Sequence, residues 1–413
     1  MRRHFKRLIG DRRGNAILIA AGALPLVIGA AGLASDTVQW TMWKRQLQRA
    51  ADSAAIAGSL ARHQGTNLDT SVNAELTRND HLWMADLAAI DVTTTPADTS
   101  TEASRVNVSL SIQQKLGFSS VFMSAAPVIN VNARAAMLDE GDFCVVALEK
   151  GTDPGIIIQG STTSNLGCAV ISDSIAVTDA VDTIGNAYTF NSPLVAAVGG
   201  LPTSISGAAK LQPYHVAMPD PYAGLDTSVP SSTPCTNFNS HKGTTSGGVT
   251  QLTPGCFTGF DRDGNYNLQP GVYYLNNTDM DRTGNGSLTG TGVTIVLTGT
   301  SPGTIKFNGN SGINLSAPVD VGNPFFKILF AQSLNATNNN DNVINGNNSS
   351  SLDGALYFPK GKITFSGSSS ALSKCLMVVG KQVHFSGNSN IQNNTTGCVA
   401  DSTKKGKRVR LVA

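Results

Sequence analysis

The chain has 413 residues, enough for two or three domains. Only 14% of them are charged and 42 are glycine, a composition that favours a turn-rich β architecture over a helical bundle. The formal charge of +2 conceals a polarity. Of the 30 basic residues, six lie in the first thirteen positions and five more in Lys404–Arg410, leaving 19 basic against 27 acidic residues between. That mildly acidic body argues against nucleic-acid binding through a basic face.

Arg2, Arg3, Lys6, Arg7, Arg12 and Arg13, opposed by Asp11 alone, stand ahead of a nineteen-residue apolar run, Ala16–Ala34. At 1.5 Å per residue the run spans about 28 Å, roughly the hydrocarbon thickness of a bilayer. The positive-inside rule keeps the N-terminus in the cytoplasm and exports the residues after Asp36. A cleaved signal competes with a retained anchor, since Gly32-Leu33-Ala34 and Ala34-Ser35-Asp36 offer small residues. The length of the run, and a helical pattern that continues past Asp36, favour an anchor that includes Ala16, Ile17, Leu18, Pro25 and Leu33. Beyond it Trp40, Trp43, Leu47, Ala50, Ala54, Ala57 and Ala61 recur at gaps of three and four, a heptad seam. One helix is expected from about Asn15 to Arg62, bent at Pro25 where an amide donor is missing. Its alanine-rich face has two readings: it packs on the chain's own next domain, or it is an assembly face for other membrane-anchored helices. Trp40 and Trp43 also suit the headgroup interface.

Arg13-Gly14-Asn15, the apolar helix, Asp36, Trp40 and the run Gln48–Gly58 come in an order and spacing that resemble the N-terminal segment of TadE/TadG-like Flp pilus-assembly proteins. The resemblance covers about fifty residues. It implies a role in building or anchoring a tight-adherence pilus at the bacterial inner membrane, beside other pilus-assembly proteins, and does not by itself imply an enzyme. Prepilin-type processing wants a Gly before the helix and a Glu at the fifth mature position. Counting from Gly14 or Gly10 gives Ile19 or Asn15, which points to an uncleaved assembly component.

Residues 63–140 are expected to form a small α/β unit. Thr70 can cap a short helix through Arg78, and alternating patterns at Val106–Ile112 and Val128–Met137 predict strands fit to cover the long helix. A long helix on a small sheet is pilin-like in architecture alone. From Gly141 the texture changes. Phe365-Ser-Gly and Phe385-Ser-Gly lie twenty residues apart, and Phe307-Asn-Gly sits 58 before Phe365, close to three such periods. Ile158-Gln-Gly and Ile344-Asn-Gly are looser copies. A turn recurring near every twenty residues predicts a right-handed parallel β-helix over 141–403, with a jelly roll or other sandwich as the alternative. Pro213–Pro234 and Asn335–Asn348 are expected as loops off that solenoid, and 404–413 as a basic tail or final edge strand.

All six cysteines, Cys144, Cys168, Cys235, Cys256, Cys375 and Cys398, fall on the exported side and none forms Cys-x-x-Cys. An even count there favours disulfides. Sequential pairing is one of fifteen connectivities, with separations of 24, 21 and 23 residues. Those gaps suit staples between neighbouring coils stacked about 4.8 Å apart.

Chemistry is sought in several places and finds no complete set. Asn277-Thr278-Asp279 matches one element of polygalacturonase-like hydrolases, but the Asp-Asp pair, Gly-His-Gly and Arg-x-Lys are missing. Asp261-Arg-Asp263-Gly-Asn265 looks like a calcium loop, yet an EF-hand needs Gly and Glu where Tyr266 and Val272 stand. Some TadG-like proteins carry a von Willebrand A metal site, which neither Asp69-Thr-Ser71 nor Asp173-Ser-Ile175 reproduces. Alternation points His384 outward, as a surface histidine. The leading expectation is a non-enzymatic, single-pass inner-membrane protein, without cofactor or metal, whose periplasmic β-helix is an interaction module of pilus assembly. A tethered carbohydrate-binding or adhesive β-helix, with envelope glycans as partners, is the alternative.

Overall fold

A computed structural model describes residues 15–79, 87–95, 105–185, 187–307, 311–337, 341–345, 350–366, 370–387, 390–394 and 404–412. The protein is mainly β with one long N-terminal helix, and its sheet is mixed. Two compact units divide the chain: Met1–Asp139 with Arg408–Ala413, and Glu140–Lys407.

In the first unit α1 (Asn15–Gln64) continues through Pro25, and α2 (Leu68–Arg78) comes after a short turn. The cap of α2 is Asn67 and not Thr70: the Asn67 side chain accepts the Thr70 N–H at 2.9 Å, which places Thr70 inside the first turn. Strands β1 (Leu87–Thr95), β2 (Arg105–Gln113) and β3 (Val128–Ala147) pair antiparallel in that order. Alternate residues of β2 and β3, from Val106 to Ile112 and from Ile129 to Ala135, enter one buried cluster with α1 and α2. The end of the chain joins this unit as well. Val409 packs against the cluster and the Val412 N–H donates to the Arg134 carbonyl at 2.9 Å, within or just after the strand Lys404–Leu411.

The second unit is dominated by parallel pairing, unlike an antiparallel sandwich. Among the described residues the strands fall into three ladders. The first runs through Gly255–Phe257, Gly271–Asn276, Val293–Thr298 and Ile328–Gln332 to residues 355–358 and 377–380. It then continues into residues 145–147, Ala169–Ser172 and Val195–Ala197. The second joins Met280–Arg282, Ile305–Phe307, Asp341–Ile344, residues 362–365 and 382–385, Ile156–Gln159 and Val181–Ile184. The third leads from Val249–Leu252 through Tyr266–Leu268, Gly286–Thr291 and Ser311–Ser316, and ends at Thr163–Asn165 and Thr189–Asn191. Inward side chains of all three form one apolar core.

The residues that mark the repeat in the sequence stand in register. Phe307 pairs with Ile344, Ile344 with Phe365, Phe365 with Phe385, and Phe385 with Ile158. The Phe365 and Phe385 rings stack at 5.6 Å. One spacing needs correction: Phe307 reaches Phe365 in two steps and not three. The first step is lengthened by the excursion between the strands Ser311–Ser316 and Ile328–Gln332. The Asn-rich stretch is also not all loop, because Asp341–Ile344 supplies a strand to the second ladder.

Chain order and spatial order differ in this unit. The strands within residues 145–165 do not pair with those that come after the next segment in sequence; they stack against residues 378–392. The connection is the proline-rich segment 213–234, which crosses the outer apolar side of the first ladder. Met218 and, partly buried, Tyr222, Leu225 and Val229 pack there. Its course is fixed by hydrogen bonds from the Met218 N–H to Asp173 at 2.9 Å, from Tyr357 to Asp220 at 2.8 Å and from Thr298 to the Thr227 carbonyl at 2.8 Å.

Candidate functional site

The alanine seam of α1 is a packing surface. Leu47, Ala50, Ala51, Ala54 and Ala55 are buried in the cluster formed with β2 and β3, Trp40 and Trp43 pack against it, and Ala57 is half-buried. Alanine lets a helix close onto a sheet without large side chains holding them apart. Gly58 carries the same logic further, since a Cβ there would stand 3.0 Å from both Val106 and Val72. Gln48 fastens the edge: its amide donates to the Asn132 carbonyl at 3.0 Å and to Asp52 at 2.8 Å. Of the two readings of this face, packing on the chain's own next domain is the one these contacts match. What α1 leaves open is the opposite side, where Val38, Met42 and Ile56 remain exposed. Val38 and Ile56 lie about five turns apart and so share one azimuth.

Nearer the N-terminus, Ala16, Ile17 and Leu18 lie within α1 but their side chains fall outside the described residues. Pro25 is inside the helix, and Leu24, Leu26, Val27, Ile28 and Leu33 are exposed. At the end of this run Asp36 is buried at 4% exposure. Its carboxylate accepts the Phe118 N–H at 2.9 Å, and the backbone and hydroxyl of Ser119 also donate to it. One turn further in, a Cβ on Gly32 would collide with the Phe118 ring. Asp36 and Gly32 therefore seat the one-turn helix Ser119–Val121 on α1. Sequence reasoning passed over this loop. Its signal is the stretch between Lys115 and Arg134, which contains aromatic and aliphatic residues and no charge.

In the second unit the chemical candidates are occupied by the fold. Arg282 is fully buried, and its guanidinium donates to the carbonyls of Asp261, Asp263 and Gly264 at 2.9, 3.0 and 2.6 Å. The turn that looks like a calcium loop is thereby filled by an arginine. Burial pushes the neighbouring Asp261 carboxyl up, but hydrogen bonds from Lys242 (2.7 Å) and Tyr266 (2.6 Å) outweigh it and hold the group below its ordinary range. Asp279 accepts the Thr304 N–H at 2.7 Å, and Asn277 accepts that of Ser301 at 2.7 Å, so both side chains of the hydrolase-like tripeptide hold the next turn. Asn277 itself has φ 53°, a left-handed position that asparagine tolerates. Among the described residues no group of three or more His, Cys, Asp and Glu could hold a metal ion.

His384 obeys the alternation, between buried Val383 and Phe385, but is not a free surface residue. It is half-buried, and burial together with Lys362 lowers its pKa to about 4, against a smaller opposing effect of Asp341. Cys144 pairs with Cys168 at a Cα separation of 5.8 Å, and Cys235 with Cys256 at 4.4 Å, joining ladder neighbours. Cys375 is disulfide-bonded, and Cys398 lies outside the described residues.

Residues 14–63 match the family model of TadE/G-like Flp pilus-assembly domains. The N-terminal segment is thus similar to TadE/G-like domains. No curated protein and no solved structure matches the chain. The matched segment coincides with α1, so Ala50, Ala51, Ala54 and Ala55 of its run Gln48–Gly58 belong to the packing surface described above. It supports involvement in Flp pilus assembly. From Ile19 the same helix is long and apolar enough to cross a membrane, which together with the domain fits a membrane-anchored protein.

Proposed function

We propose that the chain is a non-enzymatic, single-pass inner-membrane component of tight-adherence pilus assembly, with its N-terminus cytoplasmic and its bulk periplasmic. In this reading α1 is both anchor and assembly element, and the second unit is a right-handed parallel β-helix that serves as an interaction module. The coil reading is supported by three parallel ladders through which the chain passes in turn. The non-enzymatic reading is supported by Asn277, Asp279 and Arg282 being committed to turns.

The observation that carries the function is the division of α1 into two sides within the Tad domain. One side is spent on the chain's own sheet, and the other keeps Val38, Met42 and Ile56 open. Assembly contacts with other pilus proteins therefore fall on the open side. The test is complementation of a strain lacking this chain with V38E/I56E. Loss of pili, with the variant still membrane-inserted and its disulfides formed, is the expected outcome. Normal piliation by that variant would sink the assignment of this face.

A further inference from the structure

Beside the end of the apolar run, the loop 116–127 presents a second apolar surface. Phe118 packs on Gly32, only about 3 Å along the helix axis from Ala34, where the apolar run ends. Asp36 fixes the loop at that height by accepting hydrogen bonds from Phe118 and Ser119, and Leu116 is buried beneath it. From this seat the next residues turn outward: Val121 is 75% exposed, Phe122 76% and Met123 49%. Three consecutive large apolar side chains at such exposure are uncommon on a surface facing water. The loop has no charged residue between Lys115 and Arg134, and Lys115 at its edge is exposed.

On these grounds we infer that Val121, Phe122 and Met123 insert into the bilayer interface next to α1, as a second membrane contact of the first unit. The occupant is lipid because the patch continues the surface of the apolar run at the level where hydrocarbon gives way to headgroups. An aromatic ring and flexible thioether, free of charge, suit that zone, and a lysine at the rim can reach the phosphates. A lone helix can tilt and rotate in a membrane. A second contact rigidly coupled through Asp36 would set the rotation of α1 and keep the Val38, Met42 and Ile56 side pointed one way. This inference rests on the reading of α1 as a membrane span.

The test places the photocrosslinker p-benzoylphenylalanine at Phe122 of the full chain in phospholipid nanodiscs. Parallel samples carry it at Leu26, within the apolar run, and at Tyr214, an exposed residue of the second unit. After irradiation, intact-mass measurement reads the addition of one phospholipid. The expected result is that shift at positions 26 and 122 and none at 214. A lipid adduct at 26 without one at 122 would overturn the inference and leave the anchor reading standing. Absence at both would overturn both, and a crosslink from 122 to a second protein copy would assign the patch to protein instead of lipid.

Discussion

Replacing Asp173 with asparagine asks what the buried end of the crossing segment contributes. Asp173 comes directly after the strand Ala169–Ser172, is 3% exposed, and accepts the Met218 N–H at 2.9 Å. Burial pushes its carboxyl up from 3.8 to about 6, against the opposing effects of the Met218 hydrogen bond and Lys150. The folded state therefore holds this proton more tightly than the unfolded chain. Stability from the group is fully present below about pH 4 and is lost as pH rises through about 6. A shift of that size corresponds to about 3 kcal/mol between the two limits. Asp173→Asn retains an oxygen to accept the Met218 N–H and has no charge to bury. It should match the parent near pH 4 and exceed it at pH 8 by up to about 3 kcal/mol. The assay is urea unfolding followed by far-ultraviolet circular dichroism across that pH range, since every tryptophan precedes the second unit. Equal destabilisation of the variant at both pH values would refute the reasoning, because the carboxylate would then be an asset and not a burden.

The same packing sets the outcome of other substitutions. Arg282→Met removes a fully buried guanidinium and the donor of three carbonyls, and should cost about 3–5 kcal/mol in urea unfolding, with added calcium giving no recovery. Phe385→Ala opens a cavity between Phe365 and Phe190 and should cost about 3–5 kcal/mol, whereas Phe385→Leu should cost less in the same measurement. Gly58→Leu forces a large side chain into a place where even a Cβ would stand 3.0 Å from Val106 and Val72, and should destabilise the first unit by about 1–3 kcal/mol, read as faster proteolysis of the region after Gln64.

How much of the fold and of the α1 faces was legible in the sequence depended on whether a signal was local. The seam of α1 was visible as periodicity, but periodicity says only that a face is apolar and not what covers it. Ala50 and Ala54 would look the same beneath a partner helix as beneath β2. The register from Phe307 to Ile158 was likewise visible as a turn motif, while the number of steps between copies was not, because a long excursion mimics an extra period. β1 was hard to see because, among the described residues, it pairs with β2 alone and its Ile90 stays 44% exposed. Asn67 and Thr70 are both good capping residues, and only the side-chain geometry separates them. The role of Asp36 was out of reach for another reason: its partners, Phe118 and Ser119, lie 82 and 83 residues away.

The order in which the parallel strands are laid down alters what truncation means for this protein. In a solenoid built in chain order, trimming either terminus shaves a coil from an end and the remainder survives. Here residues 145–165 and 377–392 meet in the interior, while residues 211–212 and 235–236, which border the crossing segment, each pair with one neighbouring strand. Removing residues 377–394 would expose two apolar faces in the middle of the stack, on either side of which the described strands are linked by the crossing segment. Residues 145–165 and 377–392 together therefore act as the keystone of the second unit. During synthesis the face of residues 145–165 that meets residues 377–392 stays open until those later residues are made. The Cys144–Cys168 bridge closes residues 144–168 into one loop, where it can hold them together through that interval.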